Sequence, residues 1–475
     1  METFSFQTAS PESQGISSVA VCDFVRRLSE LDYIHSFMLL RHDRLVAQTW
    51  WKPFKPEYKH ELFSASKSFT SVAIGIAQSE GYFKLDDKLV SFFPEKMTEK
   101  VSERMRQVTL RNLLTMASGH ESCPLLRLHP QKDWVQGFLE SELVYDPGTR
   151  FVYNSAATYM LAAVLRKTTG QNVIDFLQER LFLPLGIRAE KWDSCPMGTN
   201  IGGWGFWLKT EDLLRFGRLL LNNGNWNGKQ LIPADYVKEA TRFQIDNSTN
   251  EQPDWKLGYG YQFWRTSFNA FRGDGACGQY IVVMPEKDLV LAVTSGVSNM
   301  QNILTAFWET VYASLQETPL AENKTAETEL NMLLASRKHP AFLSGLVQVP
   351  ENRTFKMDEN SIGLDTLGFS FTDEDCTLVF NWQDGKEEKL TARYGHHTLN
   401  ELQLKENEVR ILAASAAWQS AEELQLQVFA VETPFRDIYC IRFDGDAVTL
   451  ERTAKIEFLH DRWPVLQGKV LPEVK

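Results

Sequence analysis

One stretch near residue 70 constrains the fold of this chain more than any other. Residues 70–77 are apolar on nearly every side, so a helix formed here has to lie buried in the middle of a domain. The turn before them is polar and carries Ser64 and Lys67, which are three residues apart and therefore share one helix face. The unpaired N–H groups of the helix start point towards the same place. One turn thus combines a nucleophile, a base and an oxyanion donor, and Gly81 offers a C-cap at the far end.

The motif formed by these two residues, Ser-x-x-Lys, occurs only once in the chain. A chain of this size is expected to contain about one such match by chance, so the motif needs support from elsewhere. The other interpretation of the turn is purely structural. In it, Ser64 and Ser66 cap the helix and Lys67 is a solvated surface charge.

Composition limits the classes of partner. With 475 residues, two domains or one large composite are expected. The net charge of −11 and the absence of any Lys/Arg-rich run argue against a nucleic-acid partner. The N-terminus lacks the basic start and apolar core of a signal peptide, and no apolar run reaches membrane-spanning length. We therefore expect a cytoplasmic protein with no membrane partner.

The six cysteines are scattered without paired spacing, which predicts reduced thiols rather than a zinc site or a disulfide framework. They are Cys22, Cys123, Cys195, Cys277, Cys376 and Cys440.

The first three hundred residues predict an α+β fold. Strand patterns occur at 34–41, 45–51, 259–264, 279–284 and 289–294, and helical patterns at 17–31, 156–169, 212–222 and 299–315. The strands are joined by short turns, which indicates an antiparallel sheet flanked by helices. Residues 108–140 look helical or irregular, and together with the buried helices they predict an all-helical subdomain.

A second domain follows a polar segment. We place the first domain at 1–318, a linker at 319–340 and a C-terminal all-β domain at 341–475. Asp384-Gly385 and Asp444-Gly445 lie between apolar-alternating runs, which is a strong hairpin signal. These antiparallel strands suggest a small barrel or curved sheet without a catalytic constellation. His396-His397 has no nearby acidic or thiol ligand at metal spacing, so we interpret it as a loop feature.

Two further stretches are candidates for a site. Tyr153 follows the Pro147-Gly148 turn, where an extended segment enters a helix; the alternative is a core tyrosine with a satisfied hydroxyl. The Gly/aromatic loop at 201–207, which contains Trp204, can line an apolar pocket or simply pack under a surface turn.

Three motifs now stand in order: Ser64-Ala65-Ser66-Lys67, Tyr153, and Gly273-Asp274-Gly275-Ala276-Cys277-Gly278-Gln279. With the order of elements, they make about residues 10–315 resemble the serine β-lactamase and penicillin-binding-protein superfamily, in particular its class C-like esterase and amidase branch. Two positions depart from the family pattern. The second motif is commonly Tyr-x-Asn, whereas Ser155 stands at its third position here. The third motif usually opens with Lys or His, whereas this chain has Gly273.

The resemblance implies acyl transfer by a serine hydrolase. Ser64 would attack an ester or amide carbonyl, Lys67 would take its proton, and Tyr153 would relay a proton to the leaving group. The oxyanion would lie between the backbone N–H groups of Ser64 and Ala276. The substrate-binding residues implied are Ser155, Gly273, Gly275 and Trp204. No metal or organic cofactor is needed.

Three functions remain open. The first is a cytoplasmic serine hydrolase acting on a small ester, amide or peptide. The second is a β-lactamase or D,D-peptidase, disfavoured by the missing export signal and by Gly273, which supplies no cation for a substrate carboxylate. Arg272 is adjacent but should project to the opposite face of an extended strand. The third is a catalytically silent binding protein, with the β domain as its interaction part. The sequence leaves the oligomeric state unknown.

Overall fold

The computed structural model describes residues 4–343, 350–405, 408–456 and 463–472. The contacts within the chain divide it into two units. The first comprises residues 1–49 and 59–336, and the second comprises residues 50–58 and 337–475.

The first unit is built around a mixed sheet. The described strands of this unit are β1 (Gln7–Thr8), β2 (Ile34–Arg41), β3 (Arg44–Trp50), β4 (His60–Glu61), β5 (Trp207–Leu208), β6 (Asn225–Trp226), β7 (Lys229–Gln230), β8 (Trp264–Arg265), β9 (Phe271–Gly275), β10 (Gln279–Met284) and β11 (Leu289–Ser295). The sheet has the order β1-β3-β2-β11-β10-β9-β8. In it, β1 and β3 run parallel, whereas the pairs β2–β11, β11–β10, β10–β9 and β9–β8 are antiparallel.

The helices of the first unit lie on both faces of this sheet and in a helical region between β4 and β5. They are α1 (Ser18–Glu30), α2 (Ser66–Ser79), α3 (Glu103–Gln107), α4 (Leu110–Leu114), α5 (Leu125–Leu128), α6 (Trp134–Leu139), α7 (Ser155–Thr169), α8 (Val173–Leu177), α9 (Leu183–Leu185), α10 (Thr210–Leu221), α11 (Ala234–Thr241), α12 (Gln301–Glu309) and α13 (Lys324–Ala335).

Opposite faces of the sheet are covered by different helices. On one face, Gly217 of α10 lets the helix approach closely, since an added Cβ would lie 2.5 Å from Val290 Cγ1 of β11. On the other face, the Phe24 ring of α1 lies 5.4 Å from Phe37 of β2 and 5.8 Å from Phe307 of α12. The sheet is therefore flanked by helices, which confirms the predicted fold class of the first part of the chain.

The apolar segment at 70–77 lies in the buried helix α2, whose residues 66–77 are all buried. The next long helix, α7, is also buried over most of its length and ends at Gly170, which takes the left-handed conformation with φ 76°. The apolar content of the sequence predicted both buried helices correctly, because a helix that is buried on all sides has few positions for polar residues.

Two local predictions were wrong in extent, and one predicted segment contains a helix that was not expected. The strand predicted at 259–264 is only Trp264–Arg265, because Gln262 has a positive φ of 63° that interrupts the extended run. The helix predicted at 299–315 is Gln301–Glu309 with a separate 3-10 turn at Tyr312–Ser314. The segment predicted as a linker contains α13, whose Leu330 is buried and whose Glu329 pairs with Arg26 of α1.

The second unit is a β-barrel. Its strands are β12 (Arg353–Met357), β13 (Leu364–Phe371), β14 (Asp375–Trp382), β15 (Glu387–Tyr394), β16 (Thr398–Lys405), β17 (Glu408–Trp418), β18 (Glu423–Ala430), β19 (Arg436–Asp444), β20 (Ala447–Ala454) and β21 (Leu466–Val470). They follow the order β15-β14-β13-β12-β21-β20-β19-β18-β17-β16, and an additional β15–β17 pairing closes the barrel.

The barrel interior is filled by alternate side chains of each strand, as in β14, where Cys376, Leu378 and Phe380 are buried. Both predicted Asp-Gly hairpins are present, with Gly385 and Gly445 at φ 86° and 56°. Residues 344–349, near the predicted start of this domain at 341, lie outside the described residues. In the part of the chain that is described, no helix is both long and apolar enough to cross a membrane.

Candidate active site

Ser64 lies in a tight turn at the start of α2. The turn is a 3-10 segment, Phe63–Ala65, and Phe63 takes a positive φ of 46°, which is uncommon for a residue with a side chain. The neighbouring serines are used structurally: Ser66 Oγ donates to Phe63 O at 2.6 Å, and Ser68 Oγ donates to Gln262 O at 3.0 Å. Both are buried, whereas Ser64 is partly exposed. Of these three serines, Ser64 is the one that an outside molecule can reach.

Lys67 is buried beside Ser64. Its Nζ donates to Ser64 Oγ at 2.8 Å and to Gly203 O at 2.7 Å, and the side chain is only 1% exposed. Burial lowers the pKa of Lys67 to about 7, and the nearby Cys123 and Asp274 oppose that fall. Such burial excludes the interpretation of Lys67 as a solvated surface charge. A large fraction of Lys67 is neutral near pH 7 and can accept a proton.

Tyr153 lies next to Lys67. Its ring centroid is 5.0 Å from Lys67 Nζ, and it stacks on Trp264 with centroids 5.5 Å apart. Burial of the hydroxyl raises the pKa of Tyr153 well above its usual range, and a hydrogen bond with Ser64 only partly opposes this. Tyr153 therefore keeps its proton at neutral pH, so it is equipped to donate a proton rather than to act as a tyrosinate.

Asn154 fixes the chain that carries Tyr153. It is fully buried and caps α7, where its Oδ1 accepts from the backbone N–H of Ala156 at 3.0 Å and of Ala157 at 3.2 Å. Ser155, the next residue, is partly exposed and lies beside the Gly203 backbone. The amide thus serves the helix start in this chain, while the role of Ser155 in substrate binding stays a prediction.

The third motif packs against the Ser64 turn through its glycines. A Cβ added to Gly275 would lie 2.0 Å from Leu62 O and 3.1 Å from Ala65 N, so a side chain has no room there. A Cβ added to Gly273 would lie 2.6 Å from Ser68 Oγ. Ala276 directly follows Gly275 and is partly exposed. The strand and the turn that carry the two predicted oxyanion donors are thus in direct contact, and the oxyanion hole itself stays a prediction.

The opposite face of β9 carries an ion pair. Arg272 is fully buried, and its Nε donates to Asp274 Oδ2 at 3.0 Å while its Nη1 donates to Asp254 O at 2.7 Å. Its guanidinium also lies 4.3 Å from the Trp255 ring centroid. Burial raises the pKa of Asp274, and Arg272, Lys67 and Trp264 oppose that rise. Arg272 therefore projects away from the Gly273 face, as expected for an extended strand.

The loop with Trp204 reaches the site through its backbone. Gly203 O accepts from Lys67, and Trp204 O accepts from Trp192 Nε1 at 3.0 Å. The half-buried Trp204 ring stacks on Trp134, with centroids 6.2 Å apart. The loop is thus placed next to Lys67, and the contact of Trp204 with substrate stays a prediction.

Sequence reasoning missed two contributors to this arrangement. Asp274 is part of the third motif, but nothing in the sequence indicated that its carboxylate pairs with Arg272. Gln262 is buried, and its Nε2 donates to Leu113 O and Leu114 O while its backbone carbonyl holds Ser68. No short sequence motif is typical of a buried glutamine, so the role of Gln262 could not be predicted from the sequence. Within the described ranges, no group of three or more His, Cys, Asp or Glu side chains could hold a metal ion.

Comparison with known proteins agrees with this geometry. A family model described as Beta-lactamase matches residues 12–301, which is more than half of the chain. The chain therefore belongs to the β-lactamase family, a family of hydrolases.

Individual relatives are distant. The 6-aminohexanoate-dimer hydrolase of Paenarthrobacter ureafaciens is 23% identical over 58% of this chain and 75% of its own length. A β-lactamase of Escherichia coli is 27% identical over 33% of this chain, and the match spans only 40% of that protein. The structure of the octameric penicillin-binding protein homologue from Pyrococcus abyssi is similar in fold, with a TM-score of 0.51 at 15% identity over 94% of this chain and 98% of that one.

Proposed function

We propose that this protein is a serine hydrolase that forms an acyl-enzyme on Ser64 and hydrolyses small esters, amides or peptides. One observation carries the proposal. The accessible Ser64 Oγ lies 2.8 Å from the Nζ of a buried Lys67 whose pKa is lowered to about 7. A nucleophile within hydrogen-bond reach of a base that is partly neutral at working pH is the arrangement that acyl transfer needs.

The proposed reaction has two halves. As Ser64 Oγ attacks the carbonyl carbon, its proton passes to Lys67 Nζ, and the carbonyl oxygen becomes an oxyanion between the N–H groups of Ser64 and Ala276. The tetrahedral species then collapses, and the leaving group departs with a proton relayed through Tyr153. In the second half, water attacks the acyl carbon and gives one proton to Lys67 Nζ. The bond between Ser64 Oγ and the acyl carbon then breaks, that proton passes from Lys67 to Ser64 Oγ, and the acid is released.

The substrate class follows from the charges around the site. Gly273 supplies no cation, and Arg272 is already engaged by Asp274 and Asp254. A neutral ester or amide therefore fits better than a carboxylate-bearing β-lactam or peptide. A β-lactamase or D,D-peptidase is the second candidate. It is retained because the relatives include a β-lactamase as well as a 6-aminohexanoate-dimer hydrolase. The cytoplasmic location and the domain limits 1–318 and 341–475 stay predictions.

A fluorophosphonate probe tests the proposal, because it forms a stable adduct with an activated serine. We expect one adduct on the intact protein, mapped to Ser64 and absent in Ser64→Ala. Ser79→Ala is the matched control, since Ser79 is an exposed serine at the other end of the same helix. It should be labelled like the wild type. An adduct that persists in Ser64→Ala would refute the assignment, and no adduct at any pH would favour the non-catalytic binding protein.

A further inference from the structure

The pair formed by Arg272 and Asp274 lies beside the reacting groups without being one of them. Trp264 separates the pair from Tyr153: the Arg272 guanidinium lies 5.7 Å from the Trp264 ring centroid, and Trp264 stacks on Tyr153. Lys67 and Asp274 are also close enough to influence each other electrostatically. A change in the charge of the pair therefore acts on Tyr153 across a single aromatic ring and on Lys67, the two groups that flank Ser64.

The carboxylate that contacts Arg272 directly is that of Asp274. The other acid nearby, Asp254, contacts Arg272 only through its backbone carbonyl. The Asp254 carboxylate is used elsewhere, accepting from Thr266 Oγ1 at 2.5 Å, Gln301 Nε2 at 2.6 Å and Trp308 Nε1 at 3.1 Å. One Arg272 nitrogen, Nη2, has no hydrogen-bond partner among the described residues. The guanidinium is thus a buried cation with one direct counter-charge.

We propose that Asp274 determines substrate specificity by cancelling the charge of Arg272 beside Ser64, so that the site accepts neutral acyl substrates and discriminates against those that carry a carboxylate. This inference rests on the proposed function. The chain retains a cation one position from where the family usually has one, but the strand turns it to the other face and Asp274 neutralises it. Specificity would then depend on the balance of two charges rather than on Gly273 alone.

Two opposite substitutions test this balance. The substrates are 3-acetoxybenzamide and 3-acetoxybenzoate, which share a reacting ester and differ in one charge. Asp274→Asn keeps an acceptor for Arg272 but removes the counter-charge, so the ratio of kcat/KM for the benzoate to that for the benzamide should rise about tenfold. This is the scale of one charge acting over roughly 10 Å at an effective dielectric constant of about 20. Arg272→Gln should lower the ratio by a similar factor, and the double variant should return it towards the wild type.

Glu80→Gln is the matched control, because it also removes the carboxylate of an arginine ion pair, with Arg180, but at the end of α2 remote from Ser64, a separation of roughly 20 Å. It should leave the ratio within about threefold. General damage to the fold lowers both rates and does not move the ratio in opposite directions in the two single variants. A ratio that is unchanged in both Asp274→Asn and Arg272→Gln overturns the inference. Ser64→Ala separates the two levels of the argument. If it retains turnover, the proposed function fails; if it is inactive while the ratios do not move, only the role of Asp274 fails.

Discussion

Gly275→Ala tests, with a single added methyl group, whether the third motif packs tightly against the turn that carries Ser64. The added Cβ would lie 2.0 Å from Leu62 O, whereas an ordinary van der Waals contact of a Cβ atom is 3.4–4 Å. Because Leu62 O is backbone, it cannot rotate away. Strand and turn must separate by about 1 Å, which displaces the predicted oxyanion donor of Ser64 relative to that of Ala276. A misplacement of about 1 Å can cost about a hundredfold in rate, and overpacking typically costs about 1 to 3 kcal/mol of stability.

The assay is kcat/KM for a nitrophenyl acetate, together with chemical denaturation of each variant. We expect Gly275→Ala to lose about a hundredfold in kcat/KM while remaining folded. Gly368→Ala is the matched control, since it also lies in a strand and its added Cβ would meet its nearest neighbour at an ordinary 3.5 Å. β9 is extended at Gly275, so alanine itself is compatible with the backbone there, and the expected loss comes from the contact alone. Activity within threefold of the wild type would refute the described packing.

The remaining predictions concern the groups that move protons. The acid limb of kcat/KM should have its midpoint near pH 7, because only neutral Lys67 accepts the Ser64 proton and burial lowers its pKa to about 7; a midpoint below pH 5 would exclude Lys67 as the base. The unfolded chain holds the Lys67 proton up to about its usual pKa of 10.5, so the free energy of unfolding of the wild type should rise between pH 7 and 10.5 relative to Lys67→Met, as denaturation at several pH values can show. Tyr153→Phe should lower kcat by at least about a hundredfold, and combining it with Lys67→Ala should not multiply the two losses, because both act in one proton relay. Asn154→Ala should lower the free energy of unfolding by about 1 to 2 kcal/mol through loss of the α7 cap, measured by the same denaturation.

The sequence was informative wherever a local rule decides the structure. Ser64 and Lys67 meet because a spacing of three places side chains on one helical face, and this rule does not depend on the rest of the fold. Tyr153 was singled out as a candidate because it follows a turn and precedes a buried helix, and its role was implied by the family resemblance; the structure places its ring beside Lys67. The barrel was predicted in part from its Asp-Gly hairpins, whose turn geometry requires particular residues.

What escaped prediction depends on partners that are distant in the chain. Gly203 contributes only a carbonyl to Lys67, and every residue type has a carbonyl. The pairing of Arg272 with Asp274 and the contact of Arg272 with the Trp255 ring were not predicted, because both depend on how the strand packs in the fold. The helix α13 lies in a polar segment because only one side of it, with Ala326 and Leu330, is buried. Such a narrow apolar side is hard to distinguish from a linker by composition.

The division of the chain into units has a consequence for its biosynthesis. Residues 50–58 belong to the second unit, where Lys52 bonds to the backbone of Arg337 and His339, and the Phe54 ring lies near His339 and Phe429. A ribosome releases this short segment long before any of those partners exist, because nearly the whole first unit is made in between. The barrel unit therefore cannot complete itself as an autonomous C-terminal module during translation. A gene fragment that begins at residue 337 lacks one of its pieces, so recombination at a single junction cannot transfer this unit intact to another protein.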